Sequence, residues 1–339
     1  MNDAFLLLTP VLVFVIVALV GFVGCGGILP ASADTLPEGD PVPEQVDNPP
    51  KAVSKNPATK IKSPIDPVIR PPTYEELVIN AFGFLAYWPL NEAQGTVAEV
   101  SGPLKPMANG VYTNAAGTPL GAGSFGVGKQ GVLFAKDNTD LAAEFAGTEA
   151  FIEVPFQAPL NVGPGLEFTI ELWAKPDPTL GADRGVLVSS HHFESVAQQQ
   201  GFEIGMLKVA GQTHQQIYAR VYSGTGSTQT EIAIQPVDGA PDEWRHIVFR
   251  HGVVSGQGLA IRLRSQVLKT AKVEEKITTV FSYENVTSQK ATTLRFAGGH
   301  APVAGGGVPL YAGRLDAIAF YNTQLSDAEI AKRFDMASS

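Results

Sequence analysis

The 339-residue sequence contains a single cysteine, Cys25. That excludes an intrachain disulfide and any cysteine-rich metal site, and it leaves the redox compartment open. Charge is also scarce, at 17% of residues, and its balance is acidic, with a formal net charge of −9 and a pI near 5.2. Without a broad positive field the chain has little means of displacing the counterions of a phosphate backbone, so no nucleic-acid partner is expected. Two absences are local. Residues 4–29 carry no charge, and residues 30–72 carry no aromatic side chain. What is abundant is apolar residues (44%), glycine (35) and proline (25), the make-up of a globular chain rich in turns.

The uncharged segment includes Phe5–Leu8 and Val11–Val20, enough to supply the ~20 apolar residues that a bilayer core requires. Residues 1–29 are therefore expected to form one transmembrane anchor, with Pro10 tolerated near its start. Phe22-Val23-Gly24-Cys25 resembles a bacterial lipobox, which would make Cys25 a lipidated first residue. Against that, Phe is a poor first residue of such a box, and Met1-Asn2-Asp3 lacks the basic residues of a signal peptide. A retained single-pass helix is the reading adopted here, with lipidation of Cys25 as its competitor. Lys/Arg counting gives no orientation, because the first basic residue is Lys51.

Residues 30–72 hold 11 of the 25 prolines, including Pro49-Pro50 and Pro71-Pro72. Such a linker tends to polyproline II and, at ~3.1 Å per residue, reaches on the order of 130 Å when extended. Its first half is acidic (Asp34, Glu38, Asp40, Glu44, Asp47) and its second mostly basic (Lys51, Lys55, Lys60, Lys62, Arg70). Two roles are open to it, a passive stalk or a strap that orders in the groove of a partner.

Residues 73–339 read as one all-β domain. After a short amphipathic stretch at Tyr74–Val78, short β-type runs alternate with Gly, Pro, Asn and Asp clusters up to about residue 323. In Phe168–Ala174 the alternation puts Phe168, Ile170 and Leu172 on one face and Thr169, Glu171 and Trp173 on the other. Further strands are expected at Gly201–Leu207, Gln216–Tyr222, Arg245–Arg250, Leu259–Arg264 and Arg314–Tyr321. Ser326 followed by Glu329 is a capping box and predicts a short C-terminal helix. The expected architecture is a two-sheet antiparallel jelly-roll sandwich.

Four ordered motifs carry a resemblance. Tyr87-Trp88-Pro89-Leu90-Asn91-Glu92 with Gly95-Thr96 and Ser101-Gly102 looks like the opening strand of laminin-G-like domains of the concanavalin-A-like lectin/glucanase superfamily. Phe168–Pro176 is similar to the central strand of that family, and Glu243–Val248 to its tryptophan strand. Tyr311–Asn322 with Leu325-Ser326 and Glu329-Ile330 follows its closing strand and helix. The resemblance spans about residues 82–336 and implies the fold. It leaves function open, since this sandwich hosts adhesion modules, lectins and glycanases alike.

The sequence departs from the family where chemistry would be expected. A strand that often carries two aspartates in the family has Ala146 and Ala150 here. Calcium takes ~6–8 oxygen ligands, so no inherited metal site is expected, and Asp137, Asn138 and Asp140 read as a solvated turn. Related glycanases place Glu-x-Asp-x-Glu carboxylates on one strand, but no such triplet occurs, and Glu171 and Asp316 stand as lone candidates. His191-His192 in an extended segment would point to opposite faces and is expected to make a loop contact. His214, His246, His251 and His300 are scattered, and Ser189-Ser190 lacks a nucleophile elbow. The Gly-rich runs at 121–131 and 298–307 read as long loops, the natural recognition surface of a rigid sandwich.

No catalytic, cofactor or metal residue is therefore expected. The first functional expectation is a non-catalytic, single-pass membrane subunit whose extracytoplasmic sandwich and strap bind neighbouring membrane or envelope proteins. The alternative is a surface module that binds polysaccharide through exposed Trp or Tyr and amide or carboxylate side chains. A glycoside hydrolase is third.

Overall fold

The computed structural model describes residues 70–338, apart from residue 115 and positions 121–125, 134–136, 138, 163–165, 179–183, 196–197, 210–214, 224–228, 236–241, 256–257, 281–289 and 301–307. The expected anchor (1–29) and nearly all of the expected linker (30–72) lie outside the described residues. No described helix is long and apolar enough to cross a membrane.

In chain order the elements are α1 (Tyr74–Ile79), β1 (Phe84–Trp88), β2 (Val97–Ala98), β3 (Gly110–Asn114), β4 (Gly126–Gln130), β5 (Leu141–Ala146), β6 (Ala150–Val154) and β7 (Phe168–Pro176). There follow β8 (Arg184–Ser189), β9 (His192–Ser195), β10 (Gln198–Lys208), β11 (Gln215–Ser223) and β12 (Gln229–Ile234). The chain closes with β13 (Arg245–Val254), β14 (Gly258–Val267), β15 (Val273–Thr279), β16 (Leu294–Phe296), β17 (Ala312–Tyr321) and α2 (Asp327–Ser338). The strands make two antiparallel sheets. The first runs β15-β14-β13-β7-β17-β5-β4, with β1 also on β17, and the second runs β12-β11-β10-β8-β16-β6-β3-β2, with β9 on β10.

The main core lies between the sheets. Phe168, Ile170 and Leu172 of β7 face it, as their spacing predicts, together with Phe249, Phe202, Phe296, Phe320 and Trp88. Trp88 is fully buried, packs edge-on to Phe296 at 4.9 Å and donates its indole N–H to the Ala108 carbonyl at 2.9 Å. A second core covers the other face of the first sheet, where Trp173, Tyr87, Tyr321 and Val248 meet Tyr74 and Val78 of α1 and Ile330 and Phe334 of α2.

Both helices start as their sequences dictate. Ser326 Oγ accepts from the Glu329 amide, and Glu329 accepts from the Ser326 amide at 2.8 Å. The same exchange at Thr73 and Glu76 makes the amphipathic stretch a helix. Arg250 fastens α2 to the sheet, donating to the Leu325 carbonyl at 3.1 Å and to Asp327 at 2.6 Å.

Candidate functional site

The outer face of the second sheet is polar. Alternation sends Phe202, Ile204 and Met206 of β10 and Ile217, Ala219 and Val221 of β11 into the core, so the residues between them face outward. The register then lines up Glu231, Arg220, Glu203, Ser189, Arg295 and Glu153 as successive neighbours across the strands. Opposite charges in this row pair. Arg220 Nε meets Glu231 at 2.5 Å, Arg295 Nε and Nη2 reach Glu153 at 3.1 and 3.0 Å, and Arg184 with the Tyr218 hydroxyl closes on Glu203. The cross-strand pairs Arg220–Glu231 and Arg295–Glu153 each stabilise by ~0.2–1 kcal/mol, while Arg184 counters the fully buried Glu203.

Beside Arg295 lies a pocket of about 330 Å³ lined by His191, His192, Phe193, Ala291, Thr292, Thr293, Arg295 and His300. His191 is buried, and its ring stacks on Tyr222 at 3.7 Å and 2°. Gly201, the strand partner of Tyr222, allows the close approach. Its φ is +94°, and a Cβ there would lie 2.2 Å from the Ser190 carbonyl oxygen. Among the described residues, Thr292 Oγ1 and His300 Nε2 are buried without a hydrogen-bond partner, while the His191 ring meets the Gln199 side chain and His192 Nε2 lies 3.9 Å from Glu194. Burial lowers the pKa of His191 to about 4, with the nearby Gln199 side chain working against the shift. Burial and the Arg295 charge lower that of His300 to about 3. Both imidazoles are neutral at physiological pH, each with one N–H donor and one acceptor nitrogen.

The two lone carboxylate candidates lie on the first sheet and are buried. Glu171 accepts from His246 Nε2 at 2.8 Å and from the hydroxyls of Tyr74 and Tyr321, each at 3.1 Å, while Arg333 Nε lies 3.4 Å away. Burial pushes its pKa up, but His246 and Arg333 outweigh that and hold it below the usual carboxylate range. The Tyr74 hydroxyl also accepts the Trp173 indole N–H at 2.9 Å, and Trp173 clusters with His246 and Phe334, which also meet each other at 6.2 Å. Glu171 thus joins β7 to both helices.

Asp316 pairs with Asp140 rather than with Glu171. Asp316 accepts the Val132 amide at 2.7 Å, and Asp140 accepts the Leu133 amide at 2.6 Å. A Cβ on Gly131 would touch both carboxylates, at 2.7 and 2.3 Å. Burial and their mutual repulsion hold Asp316 well above the usual range, and burial raises Asp140 to about 6. The amide donors occupy lone pairs of these oxygens and act against the upward shift without overcoming burial, and no group of three or more His, Cys, Asp or Glu among the described residues is placed to hold a metal.

A raised carboxylate binds its proton more tightly in the folded state, so the Asp140 share of stability is lost as pH rises from about 4 to about 6, and Asp316, held higher, extends the decline beyond that window. Asp140→Asn removes the part of the decline between about pH 4 and about pH 6. The variant is expected to gain about 2 kcal/mol over wild type at pH 7 and nothing near pH 4, by urea unfolding at the two pH values.

Several sequence expectations change. The adjacent histidines do not diverge. His191 precedes β9, where strand alternation does not yet apply, and both rings line one pocket. Of the Trp and Tyr residues expected to be exposed, Trp88, Trp173, Trp244, Tyr218 and Tyr222 are buried, and Tyr283 lies outside the described residues. His246 is bound to Glu171, and His251 Nδ1 contacts the Leu166 carbonyl at 2.7 Å. Ser189 is buried and accepts from the His191 amide. His214, Asn138 and much of both Gly-rich runs lie outside the described residues. Thr292, Thr293 and Arg295 escaped the sequence reading, and His300 appeared there only as a scattered histidine.

No family model matches the chain. No curated protein matches it either. Among solved structures, a botulinum neurotoxin type C structure described as dependent on two ganglioside molecules for cell entry aligns at 9% identity and TM-score 0.46, covering 76% of this chain and 52% of that one. Tailspike protein 2 of bacteriophage CBA120 aligns at 12% and 0.45, covering 66% and 30%. Trypanosoma rangeli sialidase with 2,3-difluorosialic acid aligns at 14% and 0.44, covering 76% and 34%. This chain spans about half or less of the length of these structures.

Proposed function

We propose that the chain is a non-catalytic carbohydrate-binding module of laminin-G-like type, carried outside the cytoplasm on a single N-terminal membrane anchor. One observation carries the reading: a pocket of about 330 Å³ holds buried polar atoms, Thr292 Oγ1 and His300 Nε2, with no hydrogen-bond partner among the described residues. Unmatched buried donors and acceptors cost about 1–3 kcal/mol each, so their concentration in one pocket points to a polar ligand that completes them. Sugar hydroxyls, each both donor and acceptor, match neutral imidazoles and threonine hydroxyls. The pocket reverses the order in which the sequence ranks scaffolding and glycan binding.

The non-catalytic part of the proposal is supported by the carboxylates. Glu171 is enclosed under α1 and α2, and Asp316 is bound to the backbone beside Asp140. The full chain, solubilised from membranes, is expected to bind on a glycan array and to release no product from the glycans it retains. His191→Phe keeps the ring on Tyr222 while deleting both nitrogens, and it is expected to weaken retention about tenfold at unchanged melting temperature. Cleavage of any bound glycan, or a variant that binds as wild type does, would refute the proposal.

A further inference from the structure

The pocket has a charge balance that narrows its ligand. Arg295 is the cation in its lining. Its Nε and Nη2 both contact Glu153, and its Nη1 donates to the Gly299 carbonyl at 3.0 Å, so three of its five N–H donors are taken and Glu153 balances its charge. Its face also lies 4.6 Å from the Phe151 ring centroid. Arg184 is paired with Glu203 and Arg220 with Glu231, and Lys290 lies 3.7 Å from Glu194 in an exposed, loose pair.

A carboxylate or sulfate entering here would have to share Arg295 with Glu153 and Lys290 with Glu194, so among the described residues no cation of this lining lacks a carboxylate neighbour. The groups left unpaired are neutral: His300 Nε2 and Thr292 Oγ1. Their arrangement offers donors and acceptors together without net charge. Phe193, edge-on to His191 at 6.1 Å, supplies an apolar wall for the C–H face of a ring. The volume lies at the lower end of the range for small-ligand sites and suits one ring better than a chain of them.

We infer that the pocket among His191, Phe193, Thr292 and His300 takes a single uncharged sugar unit and discriminates against sialic and uronic acids. This rests on the carbohydrate-binding reading above. Binding at physiological pH is then insensitive to salt, because no ion pair forms with the ligand.

The test is saturation-transfer NMR on the full chain, using methyl glycosides of galactose, glucose, mannose and N-acetylglucosamine beside those of glucuronic and N-acetylneuraminic acid. At least one neutral glycoside is expected to bind, with the same affinity at low and physiological salt, and to lose about tenfold in Thr292→Val and in His300→Gln. Since either change could disturb the fold, the melting temperature is read alongside, and competition between neutral and acidic glycosides on the wild-type chain decides independently of the variants. An acidic glycoside that binds about tenfold tighter than its neutral counterpart, with affinity falling as salt rises, overturns the inference and leaves carbohydrate binding standing. Absence of binding by every sugar overturns the carbohydrate reading itself.

Discussion

Glu171→Gln is expected to destabilise the fold by about 3–5 kcal/mol, the range for breaking one member of a buried ionic group. The carboxylate is fully buried and is met by His246, Arg333, Tyr74 and Tyr321. Glutamine keeps the shape but carries no charge, so Arg333, itself only 2% exposed, is left as a buried cation without its counter-ion. Its other contact, Nη2 to the Leu77 carbonyl at 3.1 Å, does not neutralise it. Because the cost lies in the orphaned charge, Glu171→Gln with Arg333→Met is expected to recover a large part of the loss, and a double-mutant cycle by urea unfolding measures that coupling. Equal losses in the single and double variants would mean that shape, not charge, holds α1 and α2 on the sheet. The pH dependence follows the same logic. Glu171 is held below the usual range, so its contribution is present above the unfolded pKa of about 4 and fades as pH falls through the lower folded value.

Trp88→Ala is expected to cost a comparable ~3–5 kcal/mol, through lost burial and the cavity left behind. Trp88 is fully buried between the sheets, where it contacts Phe296 and satisfies the Ala108 carbonyl. Trp88→Phe separates the two contributions. It retains most of the apolar contact and leaves the carbonyl unpaired, for an expected loss nearer 1–2 kcal/mol. Thermal unfolding at fixed pH distinguishes the pair. Tyr87→Ala acts on the other core, so its effect is expected to add to that of Trp88→Phe rather than to couple with it.

Those neighbouring aromatics show which parts of the fold the sequence makes legible. Period-two alternation is set by backbone geometry alone, so Tyr87 and Trp88 part to opposite faces of β1, and Phe168 through Trp173 divide between the two cores as their order requires. The strands expected at Gly201–Leu207, Gln216–Tyr222 and Arg314–Tyr321 lie within β10, β11 and β17, and the Ser326 box opens α2. Local rules carry this far. They also contained a signal for α1 in the pair Thr73 and Glu76, the same box as at Ser326 and Glu329.

The pocket was not legible for reasons of the same kind. The alternation rule holds inside strands, and His191 occupies the break between β8 and β9, so applying the rule there separated two rings that the fold brings to one pocket. Arg295 and His300 come from a segment joined to that place only by the pairing of β16 with β8 and β6, a long-range choice that no local spacing encodes. Glu171 and Asp316 show the reverse. Their residue type suggested chemistry, but burial under α1 and α2 and beside Asp140 gives them structural partners instead.

The claim that this pocket binds sugar is tested most directly by the ring signals of the histidines themselves. In a ¹⁵N-histidine-labelled full-length chain, titration with the best-bound glycoside is expected to shift the side-chain nitrogens of His191, His192 and His300. Those of His246 and His251, held in the first sheet by Glu171 and the Leu166 carbonyl, are expected to stay in place. Saturable binding that leaves the three pocket imidazoles unmoved would contradict the assignment and place recognition elsewhere on the sandwich.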